Sequence, residues 1–241
     1  MAAVARARDP GQRSGGPRPF RLPGEALEPY LPPPEGAAAG RPDGERDDLV
    51  RLDVQPLTRD RWPDLAELFN RPGGSIVRGC WCMYYRNTGA SGGQGQRNRA
   101  AMKRLVDRGV VPGLIGYIDG SPVAWLSLGP REEYGKLRRS PVMKPVDDRP
   151  VWSIVCFYVD RRVRGQHVAD RMLRAGMAFA RSQGVRMLEA YPVDKPGPSD
   201  DEYMFYGAKT MFDRAGFVEV ARRTQTRPVM RRTLRPRVKP V

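Results

Sequence analysis

The sequence predicts an α/β (α+β) fold: a mixed central sheet of about seven strands with helices on both faces. Three observations carry this expectation. Residues 151–192 read as strand, basic turn, helix and second strand, a unit that makes its two strands parallel. Asp119-Gly120 stands between two apolar runs, and Asp-Gly supplies the positive φ of a tight hairpin. Strand-like and helix-like segments follow one another as β–α–α–β–β–β–α–β–α–β–β, with no internal repeat.

Residues 1–48 hold sixteen Gly or Pro and show no period, so they are expected to form a disordered tail rather than to bury surface. The folded domain is expected over 49–235, with 236–241 as a short C-terminal tail. Its first strand is 50–56. Thr58 or Asp60 then caps a helix over 62–69, whose apolar face is Trp62, Leu65, Ala66, Leu68 and Phe69. Arg71-Pro-Gly-Gly74 stops that helix. An aromatic segment, Cys80 to Arg86, and a glycine-rich loop over 89–95 lead to a second helix over 97–108, closed by Gly109. The hairpin strands are 111–118 and 122–128. The charged stretch 131–149 has no clear period and is expected to cross the surface with one helical turn. After the 151–192 unit come a loop to residue 201, a helix over 203–215 ending at Gly216, and strands over 217–223 and 227–234.

Composition narrows the class. No run approaches the roughly 18–20 apolar residues of a membrane span, and the N-terminus lacks an apolar secretory segment. The expected location is therefore the cytoplasm. Cys80, Cys82 and Cys156, with one histidine, make neither a disulfide framework nor a zinc set, so no metal is expected. The net charge of +15 comes from abundant arginine beside scarce lysine, scattered except at the C-terminus, where eight basic residues follow Phe217 against the single Glu219. Such a field concentrates anionic substrates or cofactors. Nucleic acid is not the expected partner, although steep salt-dependent retention on DNA would point to it.

The chemistry centres on Arg164-Gly-Gln-His-Val-Ala169. A tight turn running into a helix N-terminus directs several backbone N–H groups at one spot, as a pyrophosphate requires. Arg161, Arg162 and Arg164 add charge that pairs with phosphates.

In this turn the chain resembles the GNAT acyltransferase superfamily. The pattern [Gln/Arg]-x-x-Gly-x-[Gly/Ala] is met as Arg164-x-x-His167-x-Ala169, after a strand ending at Val159 and before the helix from Asp170. Downstream, Met211-Phe-Asp-Arg-Ala-Gly-Phe217 is similar to the family's Tyr-x-x-x-Gly-Phe ending of the fourth helix. The resemblance spans roughly residues 50–234. It implies the GNAT acyl-CoA N-acyltransferase fold, with acetyl-CoA as acyl donor and a small-molecule primary amine, a metabolite or antibiotic, as acceptor. Protein amino groups are the second acceptor class, and a CoA-binding module without turnover is the rival. No membrane partner is implied, and a homodimer stays open.

The resemblance places the phosphates on Arg164, Gly165, Gln166, His167, Val168 and Ala169. It runs the pantetheine arm along Phe157, Tyr158 and Val159, where the strand diverges from its neighbour. It also implies a base and an acid around the thioester. Ser153 stands where some relatives carry a glutamate, and it can order a water. Glu189 lies on the strand lining the divergence, where alternation can turn it outward. Asp194 follows on the next loop. Two departures stand out: His167 replaces the turn's central glycine, and Phe212 replaces the tyrosine that protonates the departing thiolate in many relatives. An ordinary helical φ is expected at His167, and Tyr206 or Tyr203 is expected to take over the acid role. Trp81, Tyr84 and Tyr85 either pack the first helices on the sheet or recognise the substrate.

Overall fold

In a computed structural model of the protein, residues 51–86, 95–195 and 205–235 are described. The segments read as tails, 1–48 and 236–241, lie outside the described residues, as do Tyr203 and most of the glycine-rich loop. Seven strands form one sheet: β1 (Asp53–Pro56), β2 (Gly113–Ile118), β3 (Ser121–Pro130), β4 (Trp152–Val159), β5 (Met187–Ala190), β6 (Val218–Arg222) and β7 (Pro228–Thr233). Their spatial order is β1-β2-β3-β4-β5-β7-β6. Every pairing is antiparallel except β4 with β5. The β2–β3 hairpin turns as its sequence requires, because Asp119 and Gly120 both take positive φ (49° and 75°).

Among the described residues six α-helices accompany the sheet: α1 (Trp62–Asn70), α2 (Ser75–Cys80), α3 (Gly95–Asp107), α4 (Gly135–Arg139), α5 (Val168–Ser182) and α6 (Lys209–Arg214). On one face α5 buries Met172, Leu173 and Phe179 in a cluster that includes Leu126, Leu128, Ile154 and Leu188. Full burial of each such side chain contributes about 1.5–3 kcal/mol. Gly176 lets this helix come close: a Cβ there would lie 2.4 Å from Leu126 Cδ2. On the other face α1, α2 and α3 gather Leu65, Phe69, Val77 and Met102 with Ile115, Trp125 and Tyr158 of the sheet. Beside them a smaller cluster joins Tyr85, Tyr134, Leu137, Val155, Tyr191 and Val229.

Several sequence expectations need correction. Neither Thr58 nor Asp60 caps α1, which starts after Arg61 without a side-chain cap and is favoured by proline in its first turn. Thr58 instead accepts from Arg61 Nη1 at 2.8 Å. Residues 75–80 form a helix in a stretch for which no element was expected, just before the aromatic segment. The helix expected over 203–215 is confined within the described residues to Lys209–Arg214, preceded by a short 3₁₀ stretch at Phe205 and Tyr206. Its amphipathic pattern is broken by Gly207, whose φ of 73° is non-helical.

Candidate active site

The parallel pairing of β4 and β5 covers only Trp152↔Leu188, Ser153↔Glu189 and Ile154↔Ala190. Beyond Ile154, β4 runs on to Val159 against β3 alone. The two central strands therefore part, and among the described residues the β5-facing edge of residues 155–159 has no strand partner. The β3–β4 register shifts between Ser127 and Leu128, opposite Cys156 and Ile154, so Val155 is an extra residue on β4. A bulge of this kind bends its strand and re-aims the backbone groups that follow.

A cleft of about 270 Å³ opens at this parting. Phe157, Tyr158 and Val159 line one side, Arg164, Ala169 and Asp170 close one end, and Phe205, Gly207 and Met211 are among the residues of the opposite wall. The expected cofactor-binding strand and turn thus border one cavity.

The turn is built on Asp160. Its carboxylate accepts from the Arg162 backbone N–H (3.0 Å), from Arg162 Nε and Nη2 (3.1 and 2.8 Å) and from Arg71 Nη1 (3.1 Å). Arg162 was expected to meet phosphate, but its guanidinium is committed to this carboxylate. Arg164 Nε donates to the Val159 carbonyl at 3.1 Å, which ties the turn back to the strand end. Burial pushes the Asp160 carboxyl up. The Arg162 side chain and backbone and the Arg71 guanidinium outweigh burial and hold it at about 2, below the ordinary 3.8. A depressed carboxylate stabilises the fold above its unfolded value, and that contribution is lost as pH falls. Asp160→Asn is therefore expected to flatten the fall in stability between about pH 4 and pH 2, measured by denaturant midpoints against pH. An unchanged acid limb would contradict the assignment.

Gly165 and His167 both take positive φ (78° and 56°). The ordinary helical φ expected at His167 is not found, because the chain keeps the left-handed turn a glycine would supply and places a histidine in it. Val168 opens α5 directly afterwards. Left-handed residues at the mouth of a helix turn successive N–H groups inward, and the first helical turn leaves its N–H groups without intrahelical acceptors. The His167 side chain is 73% exposed, and its Nδ1 lies 3.8 Å from Asp170 Oδ2. Asp170 also pairs with Arg214 Nη2 at 2.7 Å, which offsets its charge at the start of α5. A non-glycine residue in the left-handed region costs about 1–2 kcal/mol. His167→Gly is thus expected to raise stability by about 1 kcal/mol in urea titration, and a loss would show that the side chain is needed for folding.

The expected catalytic residues separate into two groups. Ser153 and Glu189 are paired neighbours on β4 and β5, and both are fully buried. Tyr191 joins them: its hydroxyl donates to Glu189 Oε1 (2.7 Å) and lies 3.0 Å from Ser153 Oγ, from which it accepts. Glu189 Oε2 accepts from Arg231 Nε at 2.7 Å and lies 3.7 Å from Arg131 Nη1. The outward turn allowed for Glu189 is therefore not found, and its carboxylate is occupied on both oxygens. Asp194 is likewise engaged, 2.6 Å from Arg222 Nη2.

The second group lies where the strands part. Tyr206 Oη is 2.5 Å from Tyr85 Oη, and the Arg227 guanidinium stands 3.8 Å over the Tyr206 ring. Burial pushes the Tyr206 phenol up, against the lowering pull of Tyr85 and Arg227, and the Cys156 thiol adds to the rise. The phenol stays protonated through the neutral range, as a proton donor must. Phe212 is wholly buried, edge-on to Phe157 and Phe217. The position of the usual tyrosine is thus a core site.

The aromatic segment divides. Trp81 stacks on Trp62 at 5.6 Å and is core, whereas Tyr84 is half-exposed and Tyr85 reaches Tyr206. Cys156, distant in sequence, meets the neighbouring Cys80 and Cys82: Cys82 interacts with both other thiols, and Trp125 Nε1 donates to Cys82 Sγ at 3.1 Å. Hydrogen bonding to Cys82 and burial push the Cys80 thiol up. Among the described residues no group of His, Cys, Asp or Glu is arranged to hold a metal ion. Nor, among them, is any helix long and apolar enough to cross a membrane. The Tyr85–Tyr206 contact, 121 residues apart, left no signal in the sequence; the shared face of Glu189 and Tyr191 was legible in strand alternation.

Residues 81–198 match the sequence model of the acetyltransferase (GNAT) family. Over these residues the chain carries a GNAT-type acetyltransferase domain; enzymes of that family transfer an acyl group from coenzyme A to an amine. Among solved structures, a mosquito arylalkylamine N-acetyltransferase-like 5b protein is similar in fold, with 10% identity and TM-score 0.50, covering 76% of this chain and 100% of its own. An N-acetyltransferase from Staphylococcus aureus Mu50 aligns with 13% identity and TM-score 0.45, over 77% of this chain and 99% of its own. The PaiA N-acetyltransferase from Thermoplasma acidophilum, solved with coenzyme A, aligns with 9% identity and TM-score 0.44, over 76% and 99%. No curated protein matches the sequence.

Proposed function

We propose that this chain transfers an acetyl group from acetyl-CoA to the primary amine of a small molecule, a metabolite or antibiotic, in the cytoplasm. The catalytic unit is residues 49–235, flanked by tails at 1–48 and 236–241. The observation that carries the reading is the cleft bordered at once by the unpaired edge of β4 and by the turn at Arg164–Ala169.

In this reading the N–H groups from Gly165 to Ala169 hold the pyrophosphate, with Arg164 beside them. The backbone of Phe157, Tyr158 and Val159 hydrogen-bonds the pantetheine arm as an added strand. The thioester then lies in the opening beyond Ile154 and Ala190. An N–H of the bulged segment donates to the carbonyl oxygen as it gains charge. The amine nitrogen attacks the carbonyl carbon and loses its proton to water. Collapse breaks the C–S bond, and the departing thiolate takes the phenolic proton of Tyr206, which solvent restores. Ser153, Tyr191 and Glu189 hold β4 against β5 below the reacting atoms, so Glu189 acts as scaffold. Tyr84, Tyr85 and Tyr206 wall the acceptor side, which supports a small amine over a protein segment.

The test is thiol release from acetyl-CoA with purified protein and a panel of amines, with an N-terminal peptide as the protein-type acceptor. Turnover with a small amine supports the reading. Turnover with the peptide alone moves the acceptor to protein amino groups. Calorimetric CoA binding without turnover on any amine makes the chain a CoA-binding module, the rival that His167 and Phe212 motivate.

A further inference from the structure

At the end of the sheet away from the cleft, where β5 begins, β7 ends and α6 gives way to β6, lies a second and larger groove of about 950 Å³. Arg149, Arg181, Arg231, Arg232 and Arg235 line it, and its lining holds no carboxylate and no aromatic ring. Arg231 and Arg149 are committed to Asp147. Arg181, Arg232 and Arg235 have no ion-pair or hydrogen-bond partner among the described residues, and Arg181 Nε is buried with nothing to donate to. The sequence continues past the groove with Arg237 and Lys239. Val218, 63% exposed, and Val220 add an apolar edge.

We propose that this groove binds the phosphate backbone of a nucleic-acid duplex. Three guanidiniums, one from α5 and two from the end of β7 and the residues after it, line an open groove and suit phosphates repeated along a chain, which guanidinium forks bind well. A compact phosphate site gathers backbone N–H groups at a helix N-terminus, as the cofactor turn does. Here the neighbouring helices α5 and α6 present their C-terminal ends, so attraction comes from side-chain cations alone. Without a ring to stack on, unpaired bases find no platform, which favours duplex over single strands. Binding is then independent of sequence and set by counterion release. Arg149 and Arg181, distant in sequence, join here the arginines of the basic C-terminal segment.

The experiment is fluorescence anisotropy of a labelled random-sequence DNA duplex with the full chain, with CoA present to fill the cofactor cleft. Wild type is expected to bind at 50 mM salt with an affinity that falls linearly in log–log with salt. R181A/R232A/R235A is expected to lose at least about tenfold in affinity and about 2–3 in the slope, since each phosphate contact contributes nearly one. R181K/R232K/R235K is expected to recover most of both. Unchanged calorimetric CoA binding by the alanine variant shows that it folds, and keeps this test separate from the proposed acetyl transfer. The proposal is overturned by no duplex binding at 50 mM salt, by undiminished binding of the alanine variant, or by 1:1 binding of inorganic triphosphate at the groove with no affinity for duplex.

Discussion

Glu189→Gln is expected to lower stability by about 3 kcal/mol while leaving the turnover of folded enzyme within a few-fold of wild type. The carboxylate is wholly buried, bonded to Arg231 and Tyr191 and close to Arg131. Removing one partner of a buried pair strands the other charge, at a cost of about 3–5 kcal/mol. The lower figure applies because Arg231 keeps Asp147, at 2.7 and 2.9 Å. Urea denaturation and steady-state kinetics on the same preparation separate the two roles. A general base would instead give normal stability with kcat reduced by about 10²–10⁴, and that pattern would contradict the scaffold assignment.

Tyr206→Phe carries the opposite signature. Loss of the phenolic proton should reduce kcat by about 10²–10⁴, with calorimetric CoA affinity unchanged, because the substitution keeps the ring and removes only the hydroxyl. Tyr85→Phe removes only the partner of that hydroxyl and should reduce kcat by about tenfold or less, acting through the orientation of Tyr206. If Tyr206→Phe keeps kcat within threefold, the departing thiolate finds its proton elsewhere.

The fold was legible wherever local chemistry decides it. The Asp119-Gly120 turn, the β4–α5–β5 unit and the seven strands follow from turn residues and periodicity, and the structure keeps all of them. The strand and turn that border the cleft were legible for the same reason, being contiguous in sequence. What the sequence hid is contact between distant residues. The closure of the turn on Asp160 was hidden in part because Arg71, which also holds that carboxylate, lies 89 residues away, whereas the Arg162–Asp160 pair is local. Glu189 could be read as a base because Arg231 lies 42 residues further along. His167 is instructive in a different way. Its residue type suggested an ordinary helical backbone, but the closure of the turn on Asp160 and Val159 holds it at a φ of 56°. Tertiary context there overrides the preference of the side chain.

The central claim is that acyl-CoA lies between the turn and the open edge of β4. A crystal structure with acetyl-CoA tests it most directly. The pyrophosphate is predicted within hydrogen-bond distance of the Gly165–Ala169 amides, the pantetheine arm along Phe157–Val159, and the thioester between β4 and β5 within reach of Tyr206. A cofactor bound elsewhere, or a cleft left empty at saturating acetyl-CoA, would contradict the account.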